Sequence, residues 1–387
     1  MRDPIYLDYN ATTPVAPEVV EAMVPALREA WGNPSSTHAY GRRARSALDV
    51  GRGQVAGLLG CEPTEIIFTS GGTESDNAAI VGVAEALSER GQHIVTSVVE
   101  HAAIEQACRY LERRGWSVSR VPVDGEGRVD PEGVADAVRP NTVLISIMHA
   151  QNETGVIQPI REIADRVRGD GIVLHSDAAQ SVGKLAARVD DLGVDLLTIA
   201  GHKLYGPKGV GALYLRTGTP FVELLKGAGH EAGRRSGTEN VPAIVGLGAA
   251  CELAERELPR RSEHMSEMRD RLEQALRREI PDLVVHGASV ERLPNTLSVA
   301  LPGADATQLV AAVDGVAAGS GAACHSGKPH VSPVLRAMNV AEELALCTLR
   351  LTTGRSTTPE EIDAAASRIS QTAFTLREKR RQAPFRQ

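Results

Sequence analysis

The sequence predicts an α/β fold in which helices cover a mostly parallel sheet, followed by a smaller α+β region. Three observations support this. Runs such as "HIVTSVV" (93–99) and "TVLISIM" (142–148) are almost continuously apolar, as expected of strands buried on both faces. Helical apolar spacing recurs between these runs, which is typical of a parallel sheet with crossover helices. After about residue 220, one long charged helix and several short strands replace this alternation.

The first region opens with a helix over 17–30, where a proline suits the first helical turn. Strands and helices then alternate. We predict strands over 65–70, 93–99, 142–148, 171–177, 195–201 and 211–216, and further helices over 77–87, 101–114 and 159–168.

The second region begins with a helix over 242–279, whose many opposite charges indicate a solvated face. The basic tail 377–387 is expected to fray. The other predicted elements are strands near 283–287, 294–301 and 347–353, and helices near 305–313, near 332–338 and from 359.

The composition is that of a globular protein, with 387 residues of which 42% are hydrophobic and 24% charged. A formal net charge of −7 gives no support for nucleic-acid binding. The sequence shows neither a signal-peptide pattern nor a run of 18 apolar residues, so no membrane association is expected. Five scattered cysteines argue against a disulfide framework and favour the reducing cytoplasm.

Lys203 lies in "TIAGHKLYGPKG" (198–209), directly after an apolar strand. A lysine that follows a buried strand and extends into a cleft can lose its proton, and the neutral amine can then form a Schiff base. Taken alone, an exposed lysine at a strand end is the better interpretation, because most lysines are exposed. The nearby "GPKG" lacks the full phosphate-loop pattern.

Asp177 ends a buried strand in "LHSDAAQSVG" (174–183), and Gln180 follows three residues later. Open α/β sheets bind their ligands at the carboxyl ends of strands, which favours a functional carboxylate. The same spacing equally fits a helix start capped by Asp177. Both interpretations stay open at this point.

The stretch "TSGGTESDNAAI" (69–80) reads as a strand, a glycine pair, Thr73 and a helix. The free N–H groups of a helix start, with a threonine hydroxyl, suit a phosphate. A phosphate site, a lysine and a carboxylate at a strand end are what pyridoxal 5'-phosphate (PLP) requires, since the acid keeps the pyridine nitrogen protonated. His101, after another strand, could stack on the ring, although such a histidine more often starts a helix.

The chain resembles the cysteine desulfurase and selenocysteine lyase family, in the class V aminotransferase group with PLP fold type I. Ten ordered blocks carry the resemblance nearly from end to end. They are "YLDYNATTP", "GNPSSTHAYGR", "FTSGGTESDN", "EHAAI", "QNETGVIQPI", "HSDAAQSVGK", "GHKLYGPKGVGALY", "RRSGTEN", "GSGAACHS" and "LRLTTGRSTTPEEID". The resemblance implies a large PLP-binding domain (15–255) and a small domain (1–14 and 256–387) that carries the cysteine loop.

The resemblance also implies a role for each matching residue. Lys203 would form the Schiff base with PLP, Asp177 would pair with the pyridine nitrogen and Gln180 would reach the phenolic oxygen. His101 would stack on the ring and help to move protons. The phosphate would be held by Gly72, Thr73 and His202, together with Thr238 of the second subunit of a homodimer. One departure from the family is Ala200, because many desulfurases have a serine there whose hydroxyl binds the phosphate.

Asn152 and Arg350 would bind the substrate carboxylate, which suits a planar guanidinium. Cys324 would be the catalytic nucleophile that accepts sulfur and carries it as a persulfide. Its surroundings, "GSGAACHSGKPH" (319–330), are rich in glycine, and a mobile loop would let one thiolate reach both the cofactor and the surface. A metal site built from Cys324, His325 and His330 lacks a fourth ligand at usable spacing, so no metal is predicted.

Three functional hypotheses follow from the resemblance. The first is a cytoplasmic cysteine desulfurase that converts L-cysteine to L-alanine and passes sulfur to an acceptor protein, for iron–sulfur clusters or another pathway. The second is a selenocysteine lyase acting on L-selenocysteine, although Ala102 stands where selenium-selective members carry an acidic residue. The third is a weakly catalytic sulfur-relay protein that retains the fold.

Overall fold

The described residues, 3–169, 171–320 and 331–382 of a computed structural model, form two sheets surrounded by helices. The larger sheet has seven strands in the order β2-β8-β7-β6-β5-β3-β4. Its strands are β2 (Ile66–Thr69), β3 (His93–Ser97), β4 (Ser117–Val121), β5 (Thr142–Ser146), β6 (Val173–Asp177), β7 (Leu196–Ala200) and β8 (Gly211–Leu215). Only the pairings of β8 with β2 and β7 are antiparallel, so the predicted mostly parallel sheet is confirmed.

The smaller sheet has five strands in the order β1-β11-β12-β10-β9, of which only β1 and β11 pair in parallel. The N-terminal strand β1 thus joins a sheet formed by the last third of the chain. Its strands are β1 (Ile5–Leu7), β9 (Val284–Val285), β10 (Thr296–Ala300), β11 (Val316–Ser320) and β12 (Thr348–Thr352). The boundaries at residues 15 and 255 stay a prediction.

Twelve α-helices lie in the described ranges, and none of them is both long enough and apolar enough to span a membrane. Helix α8 packs its first half against the core below the larger sheet and its last half against the smaller sheet. The helices are α1 (Pro17–Glu29), α2 (Ala39–Leu59), α3 (Gly72–Ala86), α4 (Ala102–Glu112), α5 (Pro131–Asp136), α6 (Ile160–Val167), α7 (Val189–Leu192), α8 (Val241–Glu279), α9 (Ala306–Ala312), α10 (Pro333–Ala337), α11 (Glu342–Ala345) and α12 (Pro359–Gln382).

Helix α2 was not predicted, because its four glycines lower the helix propensity of the segment. Tertiary packing explains them. A Cβ atom on Gly51 would lie 3.0 Å from the carbonyl oxygen of Ile244, so the glycine lets α2 approach α8 closely. The expected fraying of the tail is wrong for 377–382, because α12 continues to Gln382 and Arg377 pairs with Asp282 at 3.1 Å.

Gly211 allows β8 to pass close to the turn before α3. A Cβ atom there would lie 2.5 Å from the carbonyl oxygen of Ile199 and 2.7 Å from the Cα atom of Gly71. Because both neighbours are backbone atoms, we expect Gly211→Ala to destabilise the protein by about 1–3 kcal/mol in urea denaturation.

The matched control is Gly53→Ala in α2, where a Cβ atom would meet no atom within 4 Å. That change should stabilise the protein by about 0.5–1 kcal/mol, because alanine loses less backbone entropy in a helix than glycine does. Equal effects of the two substitutions would contradict the packing argument.

Candidate active site

The carboxyl ends of five strands of the larger sheet face one cavity of about 310 Å³. Strands β2, β3, β5, β6 and β7 end at the same edge, which is where open parallel sheets place their ligands. The smaller sheet contributes one side of the cavity from β12. The lining residues are Asn10, Ala11, Gly72, Thr73, Asp76, His101, Met148, Asn152, Asp177, Ala179, Gln180, Ala200, His202, Lys203 and Arg350.

Lys203 lies in the cavity wall, so the interpretation of an exposed lysine is wrong. A short 3₁₀ turn, Gly201–Lys203, carries the side chain away from the end of β7. Its Nζ donates hydrogen bonds to the carbonyl oxygens of Asn10 and Ala11, the latter at 2.8 Å. Burial lowers the pKa of the Lys203 amine to about 8, and the positive charge of Arg350 adds to the effect. A neutral amine is therefore accessible near physiological pH.

Asp177 is buried at the last position of β6, with a side chain that lines the same cavity. Its Oδ1 accepts a hydrogen bond from the Ala179 N–H at 2.9 Å. The residues that follow form turns rather than a helix, so the helix-cap interpretation is wrong. Burial raises the pKa of Asp177, which indicates that this carboxylate needs a positive partner to stay ionised.

A second buried carboxylate, Asp76 on α3, lies in the same part of the cavity and was missed in the sequence. Its Oδ1 has no hydrogen-bond partner among the described residues and lies 3.9 Å from Nε2 of His175. Burial raises the pKa of Asp76 well above its usual value, and the charge of Asp177 raises it further. Of the two carboxyl groups, Asp76 therefore holds its proton more strongly than Asp177.

The start of α3 presents Gly72 and Thr73 to the cavity. Gly71 before it has φ 150°, a conformation that favours glycine. The first N–H groups of an α-helix have no partner within the helix, so this end of the cavity suits an anion. Burial lowers the pKa of His202 to about 4, and its Nδ1 lies 3.1 Å from Oγ1 of Thr12. A neutral His202 can donate one N–H.

His101 fits both interpretations that the sequence left open. It is the N-cap of α4, since its Nδ1 accepts a hydrogen bond from the Ala103 N–H at 3.2 Å, and it also lines the cavity. This bond leaves the proton of the neutral ring on Nε2. The preceding Glu100 accepts hydrogen bonds from Ser97 Oγ at 2.6 Å and from the Met148 N–H at 3.0 Å. Burial raises the pKa of Glu100 to about 8.

Arg350 extends from β12 towards the cavity, next to Asn152. Its Nη1 donates to the carbonyl oxygen of Asn152 at 3.3 Å, and its Nη2 pairs with Asp8 Oδ1 at 2.8 Å. The buried Nε has no hydrogen-bond partner among the described residues. A guanidinium with a donor to spare is suited to a substrate carboxylate. Asp8 was not predicted, although it lies in the first block of the resemblance.

One predicted site residue does not line this cavity, and another lies outside the described residues. Thr238 is exposed and does not line it. Cys324 lies within 321–330, outside the described residues, as do His325 and His330 of the rejected metal site. Among the residues that the structure describes, no group of three or more His, Cys, Asp or Glu could hold a metal ion.

The chain matches the family model "Aminotransferase class-V" over residues 5–365. It is 46% identical to the cysteine desulfurase IscS of Dictyoglomus turgidum, across 94% of this chain and 93% of the relative. The chain belongs to the cysteine desulfurase family. Among solved structures, a NifS-like protein matches this desulfurase-family chain with TM-score 0.91 and 36% identity, covering 96% of this chain and all of the other. A structure titled "SspA in complex with cysteine" matches with TM-score 0.81 and 34% identity, covering 91% and 99% of the two chains.

Members of the cysteine desulfurase family depend on PLP, and the cavity residues fit this cofactor. Lys203 supplies an amine that loses its proton near pH 8, and Asp177 supplies a buried carboxylate whose hydrogen-bond donor is a backbone N–H. The N–H groups at the start of α3 suit the phosphate. Ala200 lies beside this helix start, 3.3 Å from the position of a Cβ atom on Gly72, and presents a methyl group instead of a hydroxyl.

The lowered pKa of Lys203 predicts how the apo-protein captures PLP. Only the neutral amine attacks the aldehyde, and with a pKa of about 8 it is about 10% neutral at pH 7 and about 90% neutral at pH 9. We expect the rate of capture to rise about ninefold over this interval and then level off. The lysine–PLP adduct can be trapped with borohydride and located by mass spectrometry.

The control residue is Lys226, whose side chain is 57% exposed. Lys226→Met should leave the rate of PLP capture at Lys203 unchanged at each pH. A capture rate at Lys203 that has no plateau by pH 9.5 would contradict the lowered pKa.

Proposed function

We propose that this protein is a PLP-dependent cysteine desulfurase that converts L-cysteine to L-alanine and receives the sulfur atom as a persulfide on Cys324. The observation that carries the proposal is the meeting of Lys203, Asp177 and Arg350 around one cavity in a chain of the cysteine desulfurase family. The net reaction balances, because L-cysteine and the Cys324 thiol give L-alanine and a Cys324 persulfide, with only a sulfur atom transferred.

The residues of the chain have separate roles in this reaction. Arg350 and Asn152 bind the substrate carboxylate, because the Arg350 guanidinium lines the cavity beside Asn152 and is oriented by its pair with Asp8. Bound PLP supplies an electron sink for the bonds at the substrate carbon atoms. Asp177 holds a proton at the pyridine nitrogen. The Lys203 amine and the His101 Nε2 lie on the cavity wall, where they can move protons at those carbon atoms.

Cys324 acts as the nucleophile towards the substrate sulfur. Its thiolate forms the new S–S bond while the C–S bond of cysteine breaks. The other cysteines do not suit this role. Burial raises the pKa of Cys61 to about 12, and Cys108, Cys251 and Cys347 are buried. This assignment rests on the family motif around Cys324.

Replacing Cys324 tests the nucleophile directly. We expect Cys324→Ala to lower alanine formation from L-cysteine by about 1,000-fold or more, the scale observed when a catalytic nucleophile is removed. The persulfide mapped by mass spectrometry should disappear together with sulfur transfer to an acceptor protein. Cys61→Ala is the control and should retain both. Normal turnover by Cys324→Ala would exclude the proposed mechanism.

The other two hypotheses receive less support. The relative from Dictyoglomus turgidum is named as a cysteine desulfurase, which favours cysteine over selenocysteine as the substrate. Ala102, at the start of α4, is consistent with this preference. A weakly catalytic relay protein would turn over slowly without a partner, so rapid unassisted alanine formation would count against it. The acceptor protein and a cytoplasmic location are inferred from the family and from the sparse free cysteines.

We further infer a homodimer in which Thr238 of each subunit contacts the cofactor phosphate of the other. Two features support this. Thr238 is exposed rather than part of its own cavity. Large exposed apolar side chains cluster on α1 and α2 and between them, as expected of an interface. They are Leu27 (59% exposed), Trp31 (66%), Tyr40 (51%) and Val50 (60%).

Trp31→Glu tests the dimer. Light scattering should give twice the chain mass of 41.1 kDa for the wild type and a single chain mass for the variant, with weaker PLP affinity because Thr238 of the second subunit is lost. Tyr110→Glu, at an exposed aromatic residue on α4, is the control and should stay dimeric. A monomeric wild type that binds PLP tightly would exclude this arrangement.

A further inference from the structure

Lys184 is a buried lysine that the reaction described above does not use. It lies seven residues after the end of β6 and is 5% exposed. Its Nζ donates to Gln180 Oε1 at 3.1 Å and to Asn10 Oδ1 at 2.9 Å. Both acceptors are amides, and no ion pair to Lys184 is present among the described residues. Buried lysines are rare without a carboxylate partner, so this position needs an explanation.

The surroundings disfavour the charged form of the Lys184 amine. Burial lowers its pKa well below the ordinary value, and the charges of Lys203 and Arg350 lower it further. A neutral amine has two N–H groups, and the structure provides two acceptors for them. Lys184 therefore places two N–H donors beneath the cavity.

These donors determine which way the Gln180 amide faces. Because Gln180 Oε1 accepts from Lys184, its Nε2 is left to donate to the carbonyl oxygen of Asn10 at 3.0 Å. That same carbonyl oxygen accepts a hydrogen bond from Lys203 Nζ. A flipped Gln180 amide would bring its NH₂ group against the N–H donors of Lys184, which is unfavourable.

We propose that Lys184 is a positioning residue, whose two hydrogen bonds lock the Gln180 amide and the Asn10 side chain so that an amide N–H, not an amide oxygen, faces the cofactor side of the cavity. The proposal rests on the proposed function, since it concerns the cavity of the PLP enzyme. A donor at this position avoids an extra acceptor near Lys203, which would favour its protonated form. The charged groups acting on Lys203 are Arg350, Asp177 and Asp8.

Lys184→Met tests the proposal, because methionine keeps the length of the side chain and removes both donors. In apo-protein, we expect the pH midpoint of PLP capture by Lys203 to rise by about half a unit or more, a change of at least about threefold in the neutral amine at pH 7. The affinity for PLP should fall as well. Lys226→Met, at an exposed lysine, is the matched control and should leave the midpoint unchanged.

A double-mutant comparison separates positioning from simple support of the fold. In a Gln180→Leu background, Lys184→Met should cause no further shift of the midpoint, since Lys184 acts through Gln180. If Lys184→Met fails to fold, Lys184→Gln keeps a donor group on a shorter side chain and should give an intermediate shift. A lower Tm with an unchanged midpoint in either variant would overturn the proposal.

Wild-type protein that captures PLP on Lys203 but forms no alanine would overturn the proposed function and leave this inference standing.

Discussion

The hydrogen bonds of Asn10 hold the site together, because they connect the two sheets where the cavity forms. Its backbone N–H donates to Thr352 Oγ1 at 3.1 Å, and its Nδ2 donates to Thr296 Oγ1 at 2.9 Å, both in the smaller sheet. Its two oxygens accept from side chains on the larger-sheet side and from Asn295. These donors are Gln180 Nε2, Lys184 Nζ, Lys203 Nζ and Asn295 Nδ2. One buried residue thus aligns the cofactor side of the cavity with Arg350 on β12.

The basic side chains of the cavity have different hydrogen-bond partners, and these partners give them different functions. Arg350 has a carboxylate partner in Asp8, whereas Lys203 and Lys184 donate to carbonyl and amide oxygens. Uncompensated charges are unfavourable in a buried site, so the two amines are driven towards their neutral forms. This gives one amine that is able to react and one that only donates hydrogen bonds. The arrangement requires that both lie close to Arg350.

Several interpretations that were open in the sequence depended on contacts between distant segments. Lys203 could have been an exposed strand-end lysine, and Asp177 could have capped a helix. The parallel sheet decides both, because the ends of β6 and β7 lie side by side and face the same cavity. The second carboxylate, Asp76, could not be found from its own helix, since its role depends on lying near Asp177.

The sequence by itself determined most of the strands and most of the helices, because continuous apolar runs and helical spacing are local properties of the chain. Its motifs also identified the family and nine of the residues that line the cavity. Only the tertiary structure decided that a glycine-rich segment becomes α2, that Asn10 bridges two sheets, and that the buried Lys184 donates to Gln180. These features depend on close packing and burial between segments far apart in the chain, and no local pattern records such contacts.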